Sequence, residues 1–486
     1  MVGRFSYLFR RKNLNQLIKE SQVDHGFKKA LTAFNLTTLG IGAIIGTGIF
    51  VLTGTAAALH AGPALAISFI IAGLGCVFSG LCYAEFASMI PISGSAYAYS
   101  YASLGEFMAW IIGWDLILEY LFASATVAVG WSGYVVSFLH DLHINIPVQL
   151  SQAPINYSKE LGWSLSGSFV NFPAVFVVVM VTALLVIGIK ESVTFNNVIV
   201  IVKLIVILLF IFFGMWYVNV DNWSPFIPEN TGTFGQFGWS GILTGSGVIF
   251  FAYIGFDAVS TAAQESKNPQ RDMPIGILVS LILCTILYIA VALVLTGMVH
   301  YSKLNVPAPI ALAIDSVAHS LRWLNPLVKI GAIAGLSSVV LVLLMGQPRI
   351  FFSMSKDGLL PQSFSKVHSK FQTPYITTII TGSVCAVVAG LFPINILGEL
   401  VSIGTLLAFV IVCISIIILR KNHPDAPRPF RTPFVPLVPI LGAFICFVQM
   451  ASLPADTWLR LIIWMAIGIV IYFTYSRKHS KLNKNE

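Results

Sequence analysis

Two stretches of the chain combine residue types that bind charged groups through the backbone. The first is Gly40-Ile41-Gly42-Ala43-Ile44-Ile45-Gly46-Thr47-Gly48-Ile49-Phe50. The second is Gly245-Ser246-Gly247-Val248-Ile249-Phe250-Phe251-Ala252-Tyr253-Ile254-Gly255-Phe256-Asp257. Glycine costs about 1 kcal/mol relative to alanine inside a helix. Four glycines within the nine positions 40–48 therefore favour an unwound segment over a plain helix. Unwinding frees backbone N–H and C=O groups, which apolar surroundings tolerate only where the backbone lines a cavity or binds a ligand. Freed N–H groups at the positive end of a half-helix suit a carboxylate, and freed carbonyls suit an ammonium group or a cation. One amino acid headgroup carries both charges. The same glycines also suit close helix packing, and Gly42 and Gly46 have the small-xxx-small spacing for it. Phe251 and Tyr253 are placed either to close over a ligand or to pack.

Ionisable residues in apolar runs are the second signal, since each costs at least about 2.5–3.5 kcal/mol at mid-membrane. Lys203 stands in Val198-Ile199-Val200-Ile201-Val202-Lys203-Leu204-Ile205-Val206, about 12 Å from the start of its span at 1.5 Å per residue. That depth strains a snorkelling lysine. An ammonium in place of a bound sodium ion, releasing its proton on a conformational cue, is the expected role, because burial favours the neutral amine. Glu119 and Asp115 lie four residues apart on one helix face. Glu119 is the expected cavity residue, with a structural carboxylate as the other reading, and Asp115 is expected to be structural. Asp257 either caps the half-helix after the second break or pairs with Lys203, which makes it a second candidate for proton handling. Glu399 sits near a solvated helix end.

The elements that must hold these residues are membrane helices. The chain has 486 residues, 57% hydrophobic and 10% charged, with a mean hydropathy of +0.85. A soluble domain carries about 25% charged residues, so lipid must cover most of this surface. Twelve stretches reach the length of about 20 apolar residues that a span needs. They run near 35–59, 64–89, 104–139, 170–189, 195–217, 239–262, 275–299, 326–354, 375–392, 396–419, 434–453 and 457–475. The two glycine-rich stretches fall in the first and sixth spans, matching positions of two five-helix halves. Paired interruptions of that kind point to a solute site at the bilayer midplane.

The formal net charge of +8 is a topology signal rather than a nucleic-acid footprint. Basic residues crowd the N-terminus (Arg4, Arg10, Arg11, Lys12, Lys19, Lys28, Lys29), alternate connections and the tail (Arg477, Lys478, Lys481, Lys484). The intervening connections hold only Lys159, Lys303, Arg322, Lys329 and Arg460. By the positive-inside rule both termini are cytoplasmic. The basic, polar start and the long first apolar stretch do not resemble a cleaved signal peptide. All six cysteines fall inside spans and read as packing residues, without disulfide or zinc spacing. The nine histidines are scattered, so neither a metal nor a cofactor is expected. A membrane enzyme would need a catalytic constellation, and a channel a charged pore ring; neither pattern is present.

Four segments resemble the amino acid–polyamine–organocation (APC) superfamily, in particular bacterial relatives of the cationic amino acid transporters. They are Gly40 to Phe50; Tyr83-Ala84-Glu85-Phe86 leading to Pro91-Ile92-Ser93-Gly94-Ser95-Ala96-Tyr97; Phe250 to Ser260; and Gln264-Glu265-Ser266-Lys267-Asn268-Pro269-Gln270-Arg271-Asp272-Met273-Pro274. The resemblance covers nearly the whole chain. It implies an all-α integral membrane fold of twelve helices with a 5+5 inverted repeat and broken first and sixth helices. It also implies that a substrate carboxylate meets N–H groups of Gly46, Thr47 and Gly48. The amino group would meet carbonyls near Ile44, Phe251, Ala252 and Ile254. Lys203 would replace a sodium site as the proton-coupling group, and Glu119, with Ala123 one turn on, would face the substrate. The two additional spans of the vertebrate cationic transporters are absent from this chain.

The expected organisation is a basic segment 1–33, a ten-helix transport core 34–420, two further helices within 421–476 and a basic tail 477–486. The expected function is import of cationic or small neutral amino acids across the cytoplasmic (inner) membrane by proton symport. Exchange of amino acids or polyamines on the same fold is the alternative. The partners are the amino acid, the proton and the bilayer, with no nucleic acid. The substrate side chain and a small accessory membrane subunit are left open by the residues.

Overall fold

The computed structural model describes residues 10–12, 31–90, 95–158, 162–187, 193–261, 263, 266–317, 321–369 and 373–484. Of the motif residues, Pro91, Ile92, Ser93, Gly94, Gln264 and Glu265 lie outside this set, as do the basic residues Arg4, Lys19, Lys28, Lys29 and Lys159.

The first helix, α1 (Ala33–Ile44), starts at a capping box in which Thr32 Oγ1 accepts from Asn35 N–H and Asn35 Oδ1 accepts from Thr32 N–H. It stops where Ile45 turns extended (φ −71°, ψ 96°), and the chain becomes helical again from Gly48, through Gly48–Leu52, Thr53–Ala56 and Ala57–Ala61. Then follow α2 (Leu65–Met89), the short α3 (Ser95–Ser103) and α4 (Glu106–Asp141), a single 36-residue helix where one long span was expected. A β-hairpin unforeseen in the sequence, Ile155–Ser158 with Gly162–Leu165, precedes α5 (Phe172–Ile187) and α6 (Val193–Gly214).

The sixth span divides as the first does. Helix α7 (Gly238–Ile249) tightens into a 3-10 turn (Phe250–Tyr253), Ile254 is extended, and Gly255 takes φ +115° before α8 (Phe256–Thr261). The chain continues through α9 (Pro269–Met298), the short α10 (Pro309–Val317), α11 (Leu324–Lys356), α12 (Tyr375–Leu391) and α13 (Ile394–Asn422). It ends with α14 (Leu437–Ala451) and α15 (Ala455–Ile471).

Among the described residues seven helices are long and apolar enough to cross a membrane. Four shorter apolar helices accompany them: α1, α5, α12 and α14. Lipid-facing positions are large and apolar, as at Ile286, Val387 and Ile462, while tyrosines and polar residues turn inward. This is a multi-pass membrane protein.

The helices pack in two groups. Helices α1, α2, α7, α8 and α9 pack on one another, and α4, α5, α11 and α12 form the second group. Helix α13 lies between, against α4, α2 and α14. At one end of the bundle, Glu85 on α2 is 0% exposed and gathers the loop after α13. It accepts from Arg420 Nε (3.0 Å) and Nη2 (2.6 Å) and from Thr432 N–H (2.8 Å), and pairs with Arg428 Nε (3.2 Å). Burial depresses the Arg428 guanidinium from its ordinary value, Glu85 opposes that shift, and Arg420 and Arg431 add to it. Glu85→Ala leaves two arginines facing each other without their anion. Such a loss costs about 3–5 kcal/mol for a fully buried pair, and the lower end applies because the Arg420 side chain is 26% exposed. The expected result is a melting temperature lower by several degrees, read with a thiol-reactive dye, since all six cysteines are free and buried.

Candidate functional site

The two breaks meet at the centre of the bundle because glycine lets them. A Cβ on Gly48 would lie 2.2 Å from Ala252 Cα, so the first break rests directly on the backbone of the second. Gly255 makes the reciprocal contact, with Ala43 atoms 2.8–3.0 Å from where its Cβ would be, and its positive φ needs glycine as well. Gly40 seats α1 on Ser280 of α9, so packing and unwinding both use this glycine run.

A narrow cavity of about 10 Å³, room for about one water, opens beside this junction. Its floor is Ala43, Ile44, Gly46, Thr47 and Gly48, and its walls are Ala123 and Val127 on α4, Phe251 and Ile254 in the second break, and Val339 and Leu343 on α11. The helical stretch from Gly48 starts at the cavity, so its positive dipole end faces it. The Thr47 hydroxyl is buried there without a hydrogen-bond partner.

Behind the first break stands Lys203, 0% exposed. Its Nζ donates to the carbonyls of Gly42 (2.8 Å) and Ile45 (3.1 Å), the last helical turn and the first extended residue of α1. Gly335 on α11 makes room for the side chain, since a Cβ there would sit 2.8 Å from Lys203 Cε. The lysine nitrogen therefore bonds the backbone on both sides of the point where α1 ends.

Seven of the expected substrate residues line the cavity: Ile44, Gly46, Thr47, Gly48, Ala123, Phe251 and Ile254. Ala252 does not; it packs under Gly48, and its carbonyl accepts from Tyr288 OH (2.9 Å). Tyr288, on α9, also reaches the Ile44 carbonyl (2.8 Å), so one hydroxyl bridges the two breaks. Nothing local in Ile286-Leu287-Tyr288-Ile289 marks it; a mid-span tyrosine is the only hint.

Glu119 also stands off the cavity. It lies one turn beyond Ala123, 1% exposed, near the charges of Asp257 and Asp115 and the hydroxyl of Thr405. Asp257 neither pairs with Lys203 nor reaches the cavity wall; its Oδ2 accepts from Tyr120 OH (2.8 Å). Asp115 is buried against Gly404, and neither of its oxygens has a hydrogen-bond partner. Glu399 is bound by Thr457 (2.8 Å) and Arg460 (3.5 Å) at the far end of α13. Among the described residues no cluster of His, Cys, Asp or Glu could hold a metal ion.

The sequence matches the amino acid permease family model over residues 31–472. The chain belongs to that family, within the APC superfamily. Among its relatives is the methylthioribose transporter of Bacillus subtilis (strain 168), 51% identical over 479 residues, which cover 99% of this chain and all of the relative. The branched-chain amino acid permease BcaP of the same organism is 48% identical over 480 residues, 98% of this chain and 99% of the relative. The vacuolar cationic amino acid transporter 4 of Arabidopsis thaliana is 32% identical over 595 residues, 97% of each chain. In this permease-family chain the cavity at the paired breaks is the candidate solute site.

Proposed function

We propose that the chain imports amino acids with uncharged, small or branched side chains, driven by protons, across the cytoplasmic membrane. The observation that carries this reading is the Lys203 ammonium bound to the Gly42 and Ile45 carbonyls, directly behind the cavity floor. The headgroup would sit on the N–H groups of Gly46, Thr47 and Gly48, at the positive end of the half-helix. The side chain would meet Val127, Val339 and Leu343, which offer no charge to a cationic substrate. With Lys203 protonated, the first break is held shut against it; deprotonation frees two carbonyls and lets α1 move.

The same reading takes the chain as twelve crossings with an inverted repeat of the first ten, the broken α1 and α7–α8 pairs each counting as one. The core would be 34–420, with α14 and α15 added. Both termini would be cytoplasmic, on the side of Arg10, Lys12, Lys356, Arg420 and Lys481. Exchange of internal for external substrate is the competing mechanism. A methylthiopentose is the competing solute, favoured by the unpartnered Thr47 hydroxyl among apolar walls.

The test is uptake of radiolabelled leucine into proteoliposomes, with arginine, alanine and methylthioribose as competitors. Leucine should accumulate when the outside is acidic, and alanine but not arginine should compete. Accumulation that ignores the gradient yet needs internal substrate leaves the exchanger. Saturable methylthioribose uptake that leucine cannot displace overturns the amino acid reading. Leu343→Ala widens the cavity and should shift preference from leucine toward phenylalanine roughly tenfold, the usual worth of a few methylenes.

A further inference from the structure

We propose that α14 and α15 form a hinged clip across the boundary between the two helix groups, each arm riding on a different group. The proposal rests on the transport reading above, and takes the break-carrying group to move against the second group once α1 is released. The packing assigns each arm. Helix α14 lies on the group that carries the breaks. Gly75 of α2 meets Ile445, Gln449 and Cys446, Gly442 meets Phe78, and Gly247 of α7 meets the Gln449 carbonyl. Ser452 adds two bonds to α7, its carbonyl accepting from Thr244 (2.9 Å) and its hydroxyl donating to the Leu243 carbonyl (3.2 Å).

Both arms also pack on α13; beyond it, α15 packs on α4 of the second group. Trp110 and Trp114 of α4 donate to the carbonyls of Gly468 (2.9 Å) and Trp464 (2.8 Å), and Trp464 donates back to Trp114 (3.2 Å). A Cβ on Gly468 would touch the Trp114 ring at 2.4 Å, so the contact is closed.

At the end of the bundle away from the α14–α15 turn, each arm is fastened by a buried carboxylate. Glu85 of α2 holds the segment entering α14 through Arg428 and the Thr432 N–H, and also holds Arg420 at the end of α13. Glu106 of α4 accepts from Tyr472 (3.1 Å) and from Ser480, just past α15, and from Tyr101 (2.9 Å). Between the arms there is little contact along their lengths. They join through the turn at 452–454, where Trp458 Nε1 donates to the Met450 carbonyl (3.0 Å). Two arms fastened to different bodies and joined at one end must splay at the other when the bodies move. The motif residue Glu85, which has no place in the solute site, thereby gains a role.

The test uses spin labels on the full-length chain in proteoliposomes, with the six native thiols buried and so out of reach of the label. One pair, Leu437→Cys with Phe473→Cys, spans the free ends of the arms. A second, Leu74→Cys with Ile440→Cys, stays within the first group; all four positions are exposed. Without any added solute, the first pair should give a broad or two-peaked distance distribution and the second a single narrow one. Saturating leucine should then collapse the first distribution toward one population. Two narrow distributions overturn the clip, and two broad ones show that α14 does not ride on α2. A broad first pair that leucine leaves unchanged keeps the clip and counts against the substrate assignment.

Discussion

Lys203→Ala should abolish gradient-driven accumulation while counterflow of the same substrate persists. The ammonium holds two carbonyls of the first break at 2.8 and 3.1 Å, and among the described residues no other side-chain cation bonds either. Alanine removes the proton carrier but leaves the cavity lining intact, because Lys203 contributes no wall to it. A buried acceptor stripped of its donor costs about 1–3 kcal/mol, so α1 should loosen rather than unfold. Paired measurements separate the effects: accumulation ratio under an inward proton gradient, and exchange at equal pH. Accumulation falling at least tenfold with exchange within a factor of a few supports coupling through Lys203. Equal loss of both would mean that the side chain only holds the break together.

Gly48→Ala is the second large effect expected, and Gly46→Ala is its internal control. At Gly48 the added methyl would overlap Ala252 Cα at 2.2 Å and Cβ at 2.4 Å, and backbone cannot step aside. At Gly46 it would meet only Val339 methyls at 3.3 Å and beyond, which a rotamer change can absorb. Overpacking a tight core costs typically about 1–3 kcal/mol, and a backbone clash lies above that range. Gly48→Ala should therefore reduce folded protein and transport together, by more than tenfold in uptake. Gly46→Ala should keep the melting temperature and raise KM, because its methyl enters the cavity. A Gly48→Ala protein with normal uptake would mean that the breaks do not have to touch.

The breaks were legible because glycine density and an isolated charge are local signals, readable along one dimension. Helix α1 stops at Ile44 and helical structure resumes at Gly48, inside the stretch that composition singles out. Lys203 announces itself by its apolar neighbours. What the chain hides is pairing at long range. Tyr288 finds the Ile44 carbonyl 244 residues away, and Glu85 finds Arg420 335 residues away, and neither has a local signature. Face, depth and resemblance all direct Glu119 to the substrate, yet one helical turn separates it from the cavity wall at Ala123. The Ala252 carbonyl was free on paper but is taken by Tyr288. Twelve stretches of the sequence reach the length of a span, whereas among the described residues seven helices do, because breaks and turns shorten others such as α1, α5, α12 and α14.

The β-hairpin offers a handle of a different kind. Its strands are fastened to the last helix, with Tyr157 donating to Asp456 and the Arg460 guanidinium 5.5 Å from the centre of the Tyr157 ring. Trp163 and Leu165 stand exposed beside it. A 52.8 kDa chain that hides most of its mass in a detergent belt gives single-particle imaging little to align on. A nanobody raised against these strands would dock on a projection tied to α15 through Tyr157, and would add the asymmetric mass that alignment needs. Because that helix packs on α4, the nanobody would also serve as a fixed marker against which tilting of the break-carrying helices could be measured in each image class.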